Sequence, residues 1–325
     1  MARRLVFHTC RSAVELDIAM RIQVRMRKIL LPLIAALAFG APSAHAAATF
    51  AADLPFRNCD GLICLDVGID GVSRNLMLDT GNAHSTLIAD VARDLHWSLD
   101  PAQRNGATVP GIYLGGEHRV ALGSVQAPTP FYVFERTMLG IYQPPVDGSL
   151  TYDFFKDRVL EIDYPHHRVR VSNVLTTPVP DKPQGSGSLK LITFGEQGPP
   201  VLVGSPFTVN GKNVRAQIDT VFAGTMLIYD SALDMLGLHK EGSPELFRYT
   251  DGGVSLLAAR SDSIGFAGRG LIGGARTLYF VGDGKNPVHQ PDGLFDATVG
   301  NALFANCVVT LDFHAMTIDV RTAAE

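Results

Sequence analysis

One unit of this chain occurs twice. Residues 67–95 lie over residues 207–235 without a gap, at an offset of 140. Val67-Gly68-Ile69-Asp70-Gly71 falls over Phe207-Thr208-Val209-Asn210-Gly211, Leu78-Asp79-Thr80 over Ile218-Asp219-Thr220, and Leu87-Ile88 over Leu227-Ile228. A second block repeats at an offset of 149: Asp147-Gly148-Ser149-Leu150-Thr151 over Asp296-Ala297-Thr298-Val299-Gly300, Phe155 over Phe304, and Ile162-Asp163-Tyr164 over Leu311-Asp312-Phe313. Chance does not hold register over two separated blocks, so the chain reads as a duplication. The difference between the offsets puts nine extra residues between the blocks of the second copy. Two copies of one unit place equivalent residues around a common axis, which limits both the fold and where a site can form.

Each copy reads as β structure. Alternating apolar residues run to a turn at Asp70-Gly71 or Asn210-Gly211, and a second strand then ends at Asp-Thr. A short strand follows (from Ser85 or Thr225 to Ile88 or Ile228), then a short helical stretch, Ala89 to Trp97 in the first copy. A turn near Asp147 or Asp296 leads to a short helix holding Phe155 or Phe304 and a closing strand pair. The chain of 325 residues is 46% hydrophobic and 18% charged, with 32 Gly and 19 Pro, which supports a packed core rich in strands and turns and excludes a disordered chain. The segment TTPVPDKPQGSG from Thr176 to Gly187 has linker composition. The expected plan is therefore all-β: a lobe over 47–178, a linker over 179–185 and a lobe over 186–325.

Residues 1–46 read as a processed leader. Met26-Arg27-Lys28 precedes a 12-residue apolar run, Ile29 to Gly40, and Ala44-His45-Ala46 offers a small-x-small cleavage site. The run is short for a membrane span, which counts against an uncleaved anchor, the competing reading. Glu15 and Asp17 are foreign to a basic leader start and point to initiation at Met20 or Met26. The expected location is exported, periplasmic or extracellular, with no integral membrane segment after cleavage. Without 1–46 the chain keeps 21 basic and 30 acidic residues, a net charge of −9, so no nucleic-acid partner is expected. Cys59 and Cys64 flank Asp60-Gly61, a hairpin-turn pair. Either they form a local disulfide with Cys307 a buried thiol, or all three are thiols.

The chemistry centres on Asp79-Thr80-Gly81, at the end of the apolar strand carrying Met77-Leu78, and on its copy at Asp219-Thr220. Two Asp on loops near a pseudo-two-fold axis meet face to face. Carboxylates about 3 Å apart cannot both ionise and share a proton. One then deprotonates a water while the other protonates a substrate oxygen, and the pair titrates as one unit.

With those residues in place, the sequence resembles the retropepsin-like and pepsin-like aspartic proteases, bacterial two-lobed members with a degenerate second Asp-Thr-Gly motif, over roughly 65–325. Asp79-Thr80-Gly81 resembles the catalytic loop. Thr298-Val299-Gly300 resembles its supporting element, with Ser149-Leu150-Thr151 the lobe 1 equivalent. The resemblance implies two similar β-barrel-like lobes of the aspartic protease fold, each with one or two short helices. It implies catalytic Asp79 and Asp219, with Thr80, Gly81 and Thr220 supporting them and the two Thr bonded across the pair. It also implies no cofactor and no metal, a peptide or protein substrate bound extended between the lobes of a monomer, and a flap.

The flap candidate is the stretch from Thr108 to Leu122, with Tyr113, Gly115 and Gly116 at a mobile tip; the alternative is an ordinary hairpin with Tyr113 on the core. Two positions depart from the pattern. Val221 stands where glycine is usual, and a β-branched residue resists positive φ and is expected either to crowd the pair or to alter the loop. Thr151 replaces glycine in the supporting element. These departures set an active aspartic endopeptidase against a catalytically inactive peptide-binding relative. Gly268 to Gly273 matches G-x-G-x-x-G, but Thr277 to Val281 reads as strand where a dinucleotide site needs a helix, so the match is read as a loop. His84 reads as a solvent-facing loop residue near the site, the alternative being that it tunes the pair's affinity for a proton, and Asp147, Asp163, Asp296 and Asp312 read as structural or turn acids.

Overall fold

The computed structural model describes residues 50–322 except 105, 139–145, 175–185, 194–199, 250–251 and 282–293. The leader over 1–46 and the linker over 179–185 lie outside the described residues.

Lobe 1 comprises β1 (Phe50–Pro55), β2 (Arg57–Cys59), β3 (Leu62–Ile69), β4 (Val72–Leu78), β5 (Ser85–Ile88), helix α1 (Ala89–Asp94), β6 (Asp100–Arg104), β7 (Ala107–Leu122), β8 (Val125–Phe134), β9 (Gly148–Leu150), helix α2 (Tyr152–Phe155), β10 (Val159–Asp163) and β11 (Arg168–Ser172). Lobe 2 comprises β12 (Gly187–Thr193), β13 (Pro200–Val209), β14 (Lys212–Ile218), β15 (Met226–Tyr229), helix α3 (Asp230–Leu236), β16 (Lys240–Tyr249), β17 (Gly252–Phe266), β18 (Arg269–Val281), β19 (Ala297–Val299), a 3-10 turn (Asn301–Phe304), β20 (Cys307–Asp312) and β21 (Thr317–Thr322). None of the described helices is long and apolar enough to cross a membrane.

The lobes share one wiring. In lobe 1 the order is β2-β3-β4-β9-β5-β8-β7-β6, closed by β3 on β7; in lobe 2 it is β13-β14-β19-β15-β18-β17-β16, closed by β13 on β17. Closure leaves the sheets barrel-like. In each lobe a three-residue strand is inserted between the strand before the Asp-Thr loop and the strand after it. β9 runs parallel to β4 and antiparallel to β5, and β19 runs parallel to β14 and antiparallel to β15. This is the all-β, two-lobed architecture expected from the repeat and the family resemblance.

The lobes join through the strand order β1-β11-β10-β20-β21-β12. At its centre β10 pairs antiparallel with β20, and Glu161 lies opposite Thr310. The offset of 149 makes Glu161 and Thr310 equivalent, so the pseudo-two-fold axis passes through that pair. Glu161 is buried there and bonds Arg170 of lobe 1 and Arg321 of lobe 2. The equivalent aromatics Phe155 and Phe304 are each 1% exposed, one at the core end of α2 and one at the end of the matching 3-10 turn.

The turns follow their residues. Asp60-Gly61, Asp70-Gly71 and Asn210-Gly211 all have positive φ at both positions, the two-residue hairpin geometry for which Asx-Gly is suited. Two expectations are corrected. The β6–β7 hairpin turns between Arg104 and Ala107, not at 111–116. Tyr113, Gly115 and Gly116 lie in the body of β7, where Tyr113 is opposite Pro101 and Val133 and packs on the core. Gly115 is needed for space, because a Cβ there would lie 2.9 Å from Val133 and 3.1 Å from Trp97, while Gly116 (φ +82) serves a bulge against β8. The second correction concerns 268–273, read as a loop: Ala267-Gly268 turns β17 into β18, and Arg269 to Gly273 are strand.

Candidate active site

Each Asp-Thr loop leaves the end of a strand whose neighbour holds it. The Asp79 amide donates to the Leu150 carbonyl at 2.9 Å, and the Asp219 amide to the Val299 carbonyl at 3.0 Å. The inserted strands β9 and β19 thus fix where each carboxylate starts.

The two loops interlock across the axis. The Thr80 amide donates to Thr220 Oγ1 at 3.0 Å and the Thr220 amide to Thr80 Oγ1 at 3.2 Å. Each hydroxyl then donates to a main-chain carbonyl of the other lobe, Thr80 Oγ1 to Ile218 at 2.9 Å and Thr220 Oγ1 to Leu78 at 2.6 Å. Both threonines are buried, and their amides and hydroxyls are all matched, as burial demands.

The carboxylates sit beside this lock, on either side of Gly81. Asp79 Oδ1 accepts from the Gly81 amide at 2.9 Å and the Asn82 amide at 3.1 Å. A Cβ on Gly81 would lie 2.5 Å from Asp219 Cγ, so the space above this glycine holds the Asp219 carboxylate. Asp219 Oδ1 accepts from the Val221 amide at 2.9 Å. Burial is the main cause pushing Asp79 up to about 7. The charge of Asp219 adds to it, while the two amides and the Ser149 hydroxyl pull the other way. Burial also pushes Asp219 up to about 6, against the pull of nearby amides. Asp79 is buried and Asp219 partly so, and because each feels the other's charge the two titrate as a pair.

The glycine expectation is corrected at both copies. Neither Gly81 nor Val221 has a positive φ, so glycine is not demanded by backbone angle. Gly81 is needed for space. Val221 keeps the amide bond to its carboxylate and packs its side chain on the cluster of Cys64, Met77 and Val146, with Cys59 and Leu62 at its edge. It does not wedge between the two acids. The Cys59–Cys64 disulfide is formed, and Cys307 is buried outside it.

Thr151 fits by bonding: its hydroxyl donates to the Ala83 carbonyl at 2.7 Å and faces Ser85 Oγ at 3.2 Å. At its counterpart Gly300 a Cβ would meet the Phe222 carbonyl at 2.1 Å. His84 is half-exposed and bonds Asp153, which raises its affinity for a proton. Asp147 and Asp296 accept from the amides of Asn75 and Arg215 and brace the inserted strands, and Asp163 and Asp312 close turns. Among the described residues no group of three or more His, Cys, Asp or Glu gathers as a metal site.

Two polar residues at the lock carried no sequence motif. Gln217 Nε2 donates across the lobes to the Gly81 carbonyl at 2.9 Å, while its Oε1 accepts from Thr298 Oγ1 at 3.1 Å. Asn301 donates to the Thr220 carbonyl at 2.7 Å. Their signal lay in the repeat itself, where Gln217 stands over Met77 and Asn301 over Tyr152: each is polar where its copy is less so.

No family model matches this sequence, and no curated protein matches it. Among solved structures, the chain is similar to an aspartic proteinase from Irpex lacteus, with a TM-score of 0.44, 13% identity, and coverage of 83% of this chain and 97% of that one. It is also similar to basic 7S globulin from soybean, with a TM-score of 0.44, 12% identity, and coverage of 82% and 94%.

Proposed function

We propose that this protein is an aspartic endopeptidase, in which Asp79 and Asp219 act on an extended peptide held between the lobes. One carboxylate takes a proton from a water that attacks the scissile carbonyl, and the other, protonated, donates to the carbonyl oxygen. The tetrahedral intermediate collapses with a proton passed to the leaving amine, and the pair returns to its starting state. The observation that carries this reading is the juxtaposition of the buried Asp79 and part-buried Asp219 carboxylates beside Gly81, with affinities for a proton raised towards neutrality, which is how acid and base roles are divided within one pair. Thr80, Gly81 and Thr220 support the pair. Val221 favours the enzyme over an inactive peptide-binding relative, since it keeps its amide on Asp219 and turns its side chain away. The Cys59–Cys64 bond supports an oxidising compartment, in keeping with export.

The test is cleavage of casein by the purified protein from about pH 3 to 7, the span in which such pairs titrate. Asp79→Asn and Asp219→Asn are each expected to abolish it. A folded protein that cuts nothing at any of these pH values, yet retains peptides, would transfer the reading to a binding protein.

A further inference from the structure

We infer that Asn301 is a positioning residue for the Asp219 loop, and that it acts by pinning this loop to the disulfide-closed hairpin β2–β3 of the other lobe. The inference rests on Asp219 being half of a working pair, as proposed above.

The Asn301 carboxamide is buried and fully matched. Its Nδ2 donates to the Thr220 carbonyl at 2.7 Å and to the Gly61 carbonyl at 2.8 Å, and its Oδ1 accepts from the Tyr164 hydroxyl at 2.9 Å. The chemistry fixes which way the amide faces, because carbonyls only accept. The hydroxyl is the donor to Oδ1, and burial raises the phenol's affinity for its proton, so it keeps that role. One side chain therefore joins the residue after Asp219, the turn of β2–β3, and the end of β10.

The arrangement belongs to one lobe. The repeat equivalents of Asn301 and Tyr164 are Tyr152 and Phe313, which meet as an aromatic edge contact at 5.4 Å. The second copy thus has a three-way hydrogen bond where the first has a ring pair.

The hairpin meets the loop again on either side of this bond. A Cβ on Gly61 would lie 2.8 Å from Ala223 Cβ, and Val221 packs on the cluster of Cys64, Met77 and Val146, which includes one cysteine of the hairpin. The Asp219 loop thus meets the disulfide-closed hairpin through the Asn301 bond from Thr220 and through Ala223 against Gly61.

The test uses the full chain and two variants, Asn301→Ala and the Cys59→Ala/Cys64→Ala pair, each read by amide hydrogen exchange and by casein kinetics. Both variants are expected to speed exchange at the Val221 and Phe222 amides by about tenfold or more, and to leave Gly81 and Asn82 at wild-type rates. For both, kcat is expected to fall about tenfold or more with KM unchanged, the signature of misplaced groups. Equal acceleration in both loops would mean general loosening, and unchanged exchange at Val221 and Phe222 would mean no pinning; either overturns the inference. An effect of Asn301→Ala without one from the cysteine pair overturns the hairpin's part. If Asn301→Ala does not fold, the cysteine pair decides alone. If the wild type cuts nothing, the exchange arm still decides the pinning, and only the peptidase reading fails.

Discussion

Gly81 and Val221 hold the same place in two copies of one loop under different constraints. At 81 the neighbour is a carboxylate, and a Cβ would stand 2.5 Å from Asp219 Cγ. At 221 the neighbour is the apolar cluster of Cys64, Met77 and Val146. Gly81→Ala is therefore expected to displace the Asp219 carboxylate and lower kcat by about a hundredfold. Gly270→Ala, with no atom within 4 Å of the new methyl, is the control expected to stay at wild-type rate. Val221→Gly restores the usual motif on paper but strips packing and frees the backbone. We expect it to lower stability by about 1–3 kcal/mol in urea titrations, without raising activity.

Among the elements, the threonine lock ties the two lobes at the site through four buried hydrogen bonds. Thr80→Val and Thr220→Val each remove an oxygen that accepts a buried amide proton from the other lobe, and each is expected to cost about 1–3 kcal/mol. A double-mutant cycle should show coupling of about 0.5–3 kcal/mol, since each threonine bonds the other. The lock was legible in the sequence because Asp-Thr recurs at one offset and the axis then dictates the meeting. The hairpins at Asp60, Asp70 and Asn210 were legible because two successive positive φ values demand Asx-Gly. The flap tip was misplaced because glycine has several uses: at 115 it makes room for Trp97, and at 116 it serves a bulge. The Asn301 bridge was hidden because its partners, Gly61 and Tyr164, lie 240 and 137 residues away.

At the largest scale the described residues form a duplicated β unit folded about an axis through Glu161 and Thr310, with the two Asp-Thr loops interlocked across it. The paired acids make stability depend on pH with a definite sign. Their folded-state affinities, about 7 and about 6, lie above those of the unfolded chain, so the folded protein binds more protons between pH 4 and 7. Their contribution is complete below about pH 4 and is lost as the pH rises through 6 and 7. Exposed Asp53, held down by Arg168, has the opposite sign. The measured quantity is therefore the difference between wild type and Asp79→Asn: the wild type should lose urea resistance relative to the variant between pH 4 and 7.

The central claim is that Asp79 and Asp219 work as one unit on one water. It is tested most directly by rates of casein hydrolysis for wild type, Asp79→Asn, Asp219→Asn and the double variant at the wild-type pH optimum. Groups that act together are strongly non-additive, so each single variant should fall to the same residual rate and the double variant no lower. Substantial activity in Asp219→Asn, or losses that multiply in the double variant, would contradict it.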